Sequence, residues 1–332
     1  MAYRYKHFIP ENTAPKGAVR IGVYDSSGAK VCTIPLGRLT PVVSAKLYSF
    51  GLVSDIHFYK KGESWVTWDP EGKFDKALSF FENNDCVFCA HCGDITQTGL
   101  YDDGDKVNLQ PAQFAHFKEI CDKHTIPVHG CCGNHESYVV DITNNLTELK
   151  TYTGRDLYYT VSQGNDVFIF VGQSKGSKPM SDEAFQWLGT TLEANKNKRC
   201  FVFVHPYISS GNPVGAYKTV PIFENWNRLS EFKSLLSQYK NTIIFHGHSH
   251  TKFECQELDT TANYSTSDGF KSVHVPSSSS PRDVVNGELV VRYDESQGYL
   301  VDVYEDCIVL NGMDFINNKP VPLGTYKIST TV

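Results

Sequence analysis

No run of apolar residues in this 332-residue chain approaches the ~18 that a membrane-crossing helix requires. The first eight residues, Met1-Ala2-Tyr3-Arg4-Tyr5-Lys6-His7-Phe8, lack the apolar heart of a secretory signal. The expectation is therefore a cytoplasmic protein with no membrane partner. Basic charge is not in excess either: a formal net charge of -6 offers no footprint for a phosphate backbone and disfavours nucleic acid as a partner. Internal repeats are missing, and the only low-complexity tract is the short run Ser277–Ser280. Apolar residues, by contrast, are plentiful. At 40% of the chain they suffice for a large core in one large or two moderate domains.

The ten cysteines include a Cys86-x-x-Cys89-x-x-Cys92 run, a spacing that zinc or iron–sulfur sites use. The intervening residues, Val87-Phe88 and Ala90-His91, make the run a buried strand. Alternation along it turns Cys89 away from Cys86 and Cys92, so the thiols do not converge and belong to the core.

Residues 1–46 read as a β-hairpin extension, with extended segments around Val19–Tyr24 and Lys30–Ile34 joined by the turn former Asp25-Ser26-Ser27-Gly28. From 47 to 332 strands alternate with amphipathic helices, which predicts one layered α/β domain. The strands include Leu47–Ser54, Cys86–Cys92, Pro127–Cys132, Val167–Val171, Cys200–Val204 and Thr242–His246. Helical stripes are formed by Phe74, Ala77, Leu78 and Phe81, by Phe114, Phe117 and Cys121, and by Phe185, Leu188 and Leu192 behind a Ser181 N-cap. A short helix is expected around Asn144–Leu149. A strand is expected over Lys252–Leu258.

Just past the end of each of five core strands stands a group able to bind a metal: Asp55-Ile56-His57, Gly93-Asp94, Gly133-Asn134-His135-Glu136, His205 and Gly247-His248-Ser249-His250. Each has an ordinary explanation alone, with Asp55 a cap, Asp94 a turn former, Asn134 an αL residue and His205 a core histidine. All five together, at the carboxyl ends of strands where α/β sheets collect their ligands, do not. His248 and His250, two apart in an extended segment, are expected to point the same way.

In this order the five blocks resemble the calcineurin-like metallophosphoesterase superfamily, over about residues 47–310. The resemblance implies two packed mixed β-sheets flanked by helices, a four-layer sandwich, with a dinuclear metal site at one edge. It makes Asp55, His57 and His250 ligands of one metal and Asn134, His205 and His248 ligands of the other, with Asp94 between them. Mixed imidazole, carboxylate and amide donors suit Mn, Fe or Zn without choosing among them. The implied reaction is hydrolysis of a small-molecule phosphoester by a hydroxide bridging the metals, with His135 protonating the leaving group. Glu136 stands where the family often has Asp.

Aromatic residues following the ligand blocks, namely Trp65 and Trp68 with Lys60 and Lys61, and Tyr207 and Tyr217 with Asn212, are expected on pocket walls that suit a diester of a nucleotide or glycerol. A phosphomonoesterase or protein phosphatase, and a metal-binding scaffold without turnover, stay open as alternatives. Oligomeric state is not legible.

Overall fold

A computed structural model describes residues 20–24, 30–35, 44–61, 64–97, 110–137, 149–173, 180–208, 228–257, 263–266, 268–285 and 288–330. The chain divides into two compact units, Met1–Val43 and Ser44–Val332. In the first, Arg20–Tyr24 pairs antiparallel with Lys30–Pro35. Among the described residues no helix is long and apolar enough to cross a membrane.

The second unit is built on two large mixed sheets. One has the spatial order Lys319–Pro320, Cys307–Asp314, Gln297–Tyr304, Lys46–Val53, Cys86–His91, Val128–Gly130, with Tyr326–Ser329 also paired to Cys307–Asp314. The other runs Tyr264–Ser265, Lys271–His274, Thr242–His246, Cys200–Val204, Asp166–Val171, Tyr158–Gln163. Parallel pairing joins Lys46–Val53 to Cys86–His91 to Val128–Gly130, and Asp166–Val171 to Cys200–Val204 to Thr242–His246 to Lys271–His274.

These strands are apolar on both faces, as parallel strands with two covered faces must be. The phenylalanines take one face: Phe50, Phe88, Phe168, Phe170, Phe201, Phe203 and Phe245 meet between the sheets. Smaller side chains take the other. Val167, Ile169, Val202, Val204 and Ile244 pack under the Asp182–Ala194 and Leu229–Leu236 helices with Leu188, Leu192, Phe232 and Leu236. Val53 and Cys89 pack under the Pro70–Glu82 and Gln110–Cys121 helices with Phe74, Phe81, Phe114 and Phe117. The result is helices, sheet, sheet, helices. Caps follow the sequence: Ser181 Oγ accepts the Ala184 N–H at 3.1 Å, and Pro70 opens its helix behind the Asp69 cap.

Two expectations about the strands fail. Cys86 and Cys89 share a face, both against the helices, while Cys92 lies between the sheets. The register irregularity between Ser49 and Gly51, where Phe50 alone stands opposite Val87 and Phe88, cancels the simple alternation. Cys89 and Cys92 are buried core thiols and Cys86 is half-buried against the core, and burial raises the pKa of each, that of Cys86 to about 12. Where a strand was expected over Lys252–Leu258, Phe253–Glu257 forms a 3-10 turn, because the Phe253 ring packs edge-on at 4.7 Å against Tyr299 rather than joining a ladder. The Arg282–Val285 and Glu288–Val291 strands pair as a separate hairpin, whose first strand sequence pattern did not reveal. The expected helix at Asn144–Leu149 lies outside the described residues but for Leu149.

Candidate metal centre

Because the core strands run parallel, their carboxyl ends share one edge, and the loops that leave them are laced together. Asp55 N donates to Gly93 O at 3.1 Å, His57 N to Asp94 O at 2.9 Å, Phe58 N to Ile95 O at 2.8 Å and Gly247 N to His205 O at 3.1 Å. Among the described residues eight non-glycines have positive φ, and five of them are Asp55, His57, Asp94, His248 and His250. Left-handed backbone costs a non-glycine residue ~1–3 kcal/mol and gathers where function holds it in place. This overturns the extended reading of His248 and His250. Each turns sharply, at φ 73° and 61°, and they serve different groups.

The first group is Asp55, His57 and His250. His250 Nε2 lies 3.1 Å from Asp55 Oδ1 and 3.0 Å from His57 Nε2. The second is Asp94, His205 and His248, with Asn134 beside them. His205 Nε2 lies 3.1 Å from Asp94 Oδ2, 2.9 Å from Asn134 Oδ1 and 3.0 Å from His248 Nδ1. Asp94 Oδ2 is also 3.8 Å from His57 Nε2, so this one oxygen faces both groups. All seven residues expected to bind metal therefore converge. Donors ~2.0–2.2 Å from a common ion, at tetrahedral or octahedral angles, stand about 3.0–3.5 Å apart. The spacings of 2.9–3.1 Å within each group are those of donors around a common ion.

Electrostatics prepares the donors. Burial favours a neutral Asp55, but His250, His205 and His57 outweigh it and hold the carboxyl well below its usual range. Asp94 is likewise lowered against its burial, by His205, His135 and His57. Burial lowers His57, His248 (to about 3) and His250, leaving neutral rings with lone pairs to offer. His205 is the exception: burial lowers it, yet Asp94 and Asp55 prevail and push it up to about 9. Ring orientation is fixed from behind, as in many metal sites. His205 Nδ1 donates to Cys92 O at 2.8 Å, and His250 Nδ1 lies 3.1 Å from Ser280 Oγ.

Two supports were not read from the sequence. The Ser277–Ser280 run wraps the end of the first strand, with Ser277 Oγ and Ser279 Oγ donating to Asp55 O at 2.8 and 3.1 Å. Buried Glu136 accepts from Gly133 N at 2.7 Å, Thr96 N at 2.8 Å, Asp94 N at 3.1 Å and Thr96 Oγ1 at 3.0 Å, stapling two ligand loops. Only its glutamate at N3 of a short turn, beside the Gly-Asn-His block, could have hinted at that. Glu136→Ala strands three buried N–H groups at ~1–3 kcal/mol each. Its denaturant midpoint should fall by a stability loss of about 3 kcal/mol or more.

Close approach also requires glycine. A Cβ on Gly247 would sit 1.9 Å from Ser54 Oγ and 2.6 Å from Asp55 Oδ2. Gly247→Ala should displace Asp55 and weaken metal binding by ~10–100-fold, as read by calorimetric titration of chelated protein.

His135 stands at the same edge. Its N–H donates to Asp94 Oδ1 at 3.0 Å, its Nδ1 meets the Gln97 carbonyl, and its Nε2 is 3.8 Å from Asp94 Oδ2. Its ring meets that of His57 edge-on, centroids 4.6 Å apart. The aromatic walls differ from expectation. Tyr207 is buried against the His246 and His274 rings, Trp65 stacks on His116, and Trp68 lies between Tyr59 and Tyr293, while Asn212 and Tyr217 fall outside the described residues. His274 supports the centre through Ser249 Oγ at 2.8 Å. A cavity of about 1390 Å³ lies elsewhere, lined by Tyr48, Asp166, Arg199 and Asn241 at the starts of the strands.

The family model for calcineurin-like phosphoesterases matches residues 48–252, which span four of the five ligand-bearing blocks and the fifth to its end. The chain belongs to the calcineurin-like phosphoesterase family. Members are phosphoric ester hydrolases, and the family implies a dinuclear metal centre. Two solved structures resemble this family member in fold. A dimetal phosphatase from Danio rerio is 15% identical, with a TM-score of 0.59 over 86% of this chain and 100% of that one. A purple acid phosphatase from seeds of yellow lupin, Lupinus luteus, is 13% identical, with a TM-score of 0.58 over 93% of this chain and 59% of that one. No curated protein matches the sequence.

Proposed function

We propose that residues 47–332 form a phosphodiesterase domain for small organic phosphodiesters such as nucleotide or glycerol esters, with residues 1–46 an extension of it. Asp55, His57 and His250 would hold one ion, Asn134, His205 and His248 the other, and Asp94 both, the ions being Mn, Fe or Zn. The observation that carries this reading is the Asp94 carboxylate, which faces both donor groups through Oδ2 and the His135 backbone through Oδ1. When bound, two such ions polarise phosphoryl oxygens and lower the pKa of a water between them.

The chain's own residues do the rest. The Asp55 and Asp94 carboxylates are ionised, and against two divalent ions they leave net positive charge, which draws an anionic substrate in. His135, fixed by the Gln97 carbonyl through Nδ1, when protonated has its Nε2–H to donate to the leaving oxygen. The Tyr59, Trp68 and Tyr293 rings stack near this edge: Lys73, whose Nζ lies 5.9 Å from the Tyr293 centroid, bonds the Ser279 carbonyl that neighbours Ser280. That aromatic group suits a substrate with an organic substituent, as a nucleotide or glycerol diester has.

Purified protein supplied with Mn²⁺ should hydrolyse bis-p-nitrophenyl phosphate, and chelator should abolish turnover. Turnover of p-nitrophenyl phosphate alone would instead make it a phosphomonoesterase or protein phosphatase. Metal-loaded protein inert to both would make it a scaffold.

A further inference from the structure

The Arg282–Val285 and Glu288–Val291 hairpin rises directly beside the candidate metal centre. Arg282 N donates to His250 O at 2.7 Å, and Ser280, two residues earlier, holds His250 Nδ1. Three cations gather at the base of this hairpin. Lys252 Nζ is 2.8 Å from Glu295 Oε1, and Arg292 is 3.0 Å from Asp283 Oδ2. Glu254 is taken up by Gln297 at 3.0 Å. Arg282 differs: among the described residues no hydrogen bond or ion pair reaches its guanidinium, although its side chain is part-buried.

A part-buried guanidinium without a counter-ion is costly, and the neighbouring carboxylates are already committed. Its backbone bond to the His250 carbonyl places Arg282 beside the first donor group. A guanidinium is a planar fork that matches a phosphate or carboxylate through two parallel hydrogen bonds, which a single ammonium does not reproduce.

We propose that Arg282 is a specificity-determining residue that grips a second oxyanion of the substrate, a phosphate or carboxylate adjoining the scissile phosphoryl group. The enzyme accordingly prefers phosphoesters that carry two anionic groups over those that carry one. This rests on the phosphoester reading of the metal centre and narrows its substrate class.

The test is direct binding to the metal-loaded full chain, by calorimetry at saturating metal, of inorganic phosphate, inorganic pyrophosphate and phosphonoacetate. Chelation by pyrophosphate is common to every variant and cancels in the comparison. Wild type should bind pyrophosphate, phosphonoacetate or both more tightly than phosphate, and Arg282→Gln should lose ~10–100-fold of that advantage. Its affinity for phosphate alone should change little. The probe whose advantage depends on Arg282 identifies the second group as phosphate or carboxylate.

Arg282→Lys should retain part of the advantage, and should Arg282→Gln fail to fold, it decides the matter: a full wild-type advantage in Arg282→Lys then overturns the proposal. Arg292→Gln, whose side chain is already paired with Asp283, should retain all of it. An undiminished advantage in Arg282→Gln, or no advantage in wild type, overturns the proposal. Wild type that binds a two-anion probe through Arg282 but hydrolyses no ester removes the hydrolase reading and leaves this one; turnover without Arg282 dependence does the reverse.

Discussion

Asp94→Asn should fold and yet lose both the second metal and almost all turnover. Asparagine keeps the size of the side chain, and its one carbonyl oxygen can still accept the His135 N–H that Asp94 Oδ1 accepts at 3.0 Å. Its amide group then replaces Oδ2, the oxygen that lies 3.1 Å from His205 and 3.8 Å from His57. A donor thus faces the point where two cations need a shared anion. Removing one partner from a buried charged set costs ~3–5 kcal/mol, which is about 10²–10⁴-fold in kcat/KM. Metal content by mass spectrometry and turnover of bis-p-nitrophenyl phosphate should fall together. Full occupancy of both ions in Asp94→Asn would remove the shared carboxylate from the proposed mechanism.

The second large effect belongs to His135→Ala, which should keep its metal and lose rate. His135 belongs to neither the Asp55 group nor the His205 group; its Nε2 approaches Asp94 Oδ2 only at 3.8 Å, in a third set with His57, and its ring is fixed by a bond to the Gln97 carbonyl. Loss of a general acid costs roughly 10²–10⁴-fold in kcat. The size of the loss should depend on the ester. A p-nitrophenolate departs readily without a proton and an alkoxide does not, so an alkyl diester should suffer far more than bis-p-nitrophenyl phosphate. Equal losses for both esters would make His135 a positioning residue, acting through its ring contacts with the Gln97 carbonyl and Asp94 Oδ2, rather than an acid. In that case His135→Gln, whose side-chain amide can donate to one of those partners, should restore most of the rate.

Much of this was legible in the chain because it depends on local pattern. Apolar runs that end in Asp, Asn or His announce strands with polar loops at one end, and alternating helical stripes announce the layers that cover them. Period-based reading failed where one residue was added or where a ring found a better partner. The bulge opposite Ser49–Gly51 put Cys86 and Cys89 on one face, and Phe253 turned in against Tyr299 instead of extending. Neither event has a local signature, since each depends on what lies across the fold.

Order and identity of the candidate metal-binding residues that meet at one edge were thus determined by the sequence itself, because the carboxyl ends of parallel strands share an edge whatever the intervening loops do. Which oxygen of Asp94 faces both donor groups, the left-handed turns that send His248 and His250 to different groups, the Glu136 staple, the serine wrap around Asp55 and an Arg282 guanidinium with no partner among the described residues were decided only by tertiary structure. The reason is physical. A residue type limits what a side chain can bind, but direction and partnership arise from backbone torsions and from neighbours that are 40 to 224 positions away in the chain, as with Glu136 and Thr96 or Ser279 and Asp55.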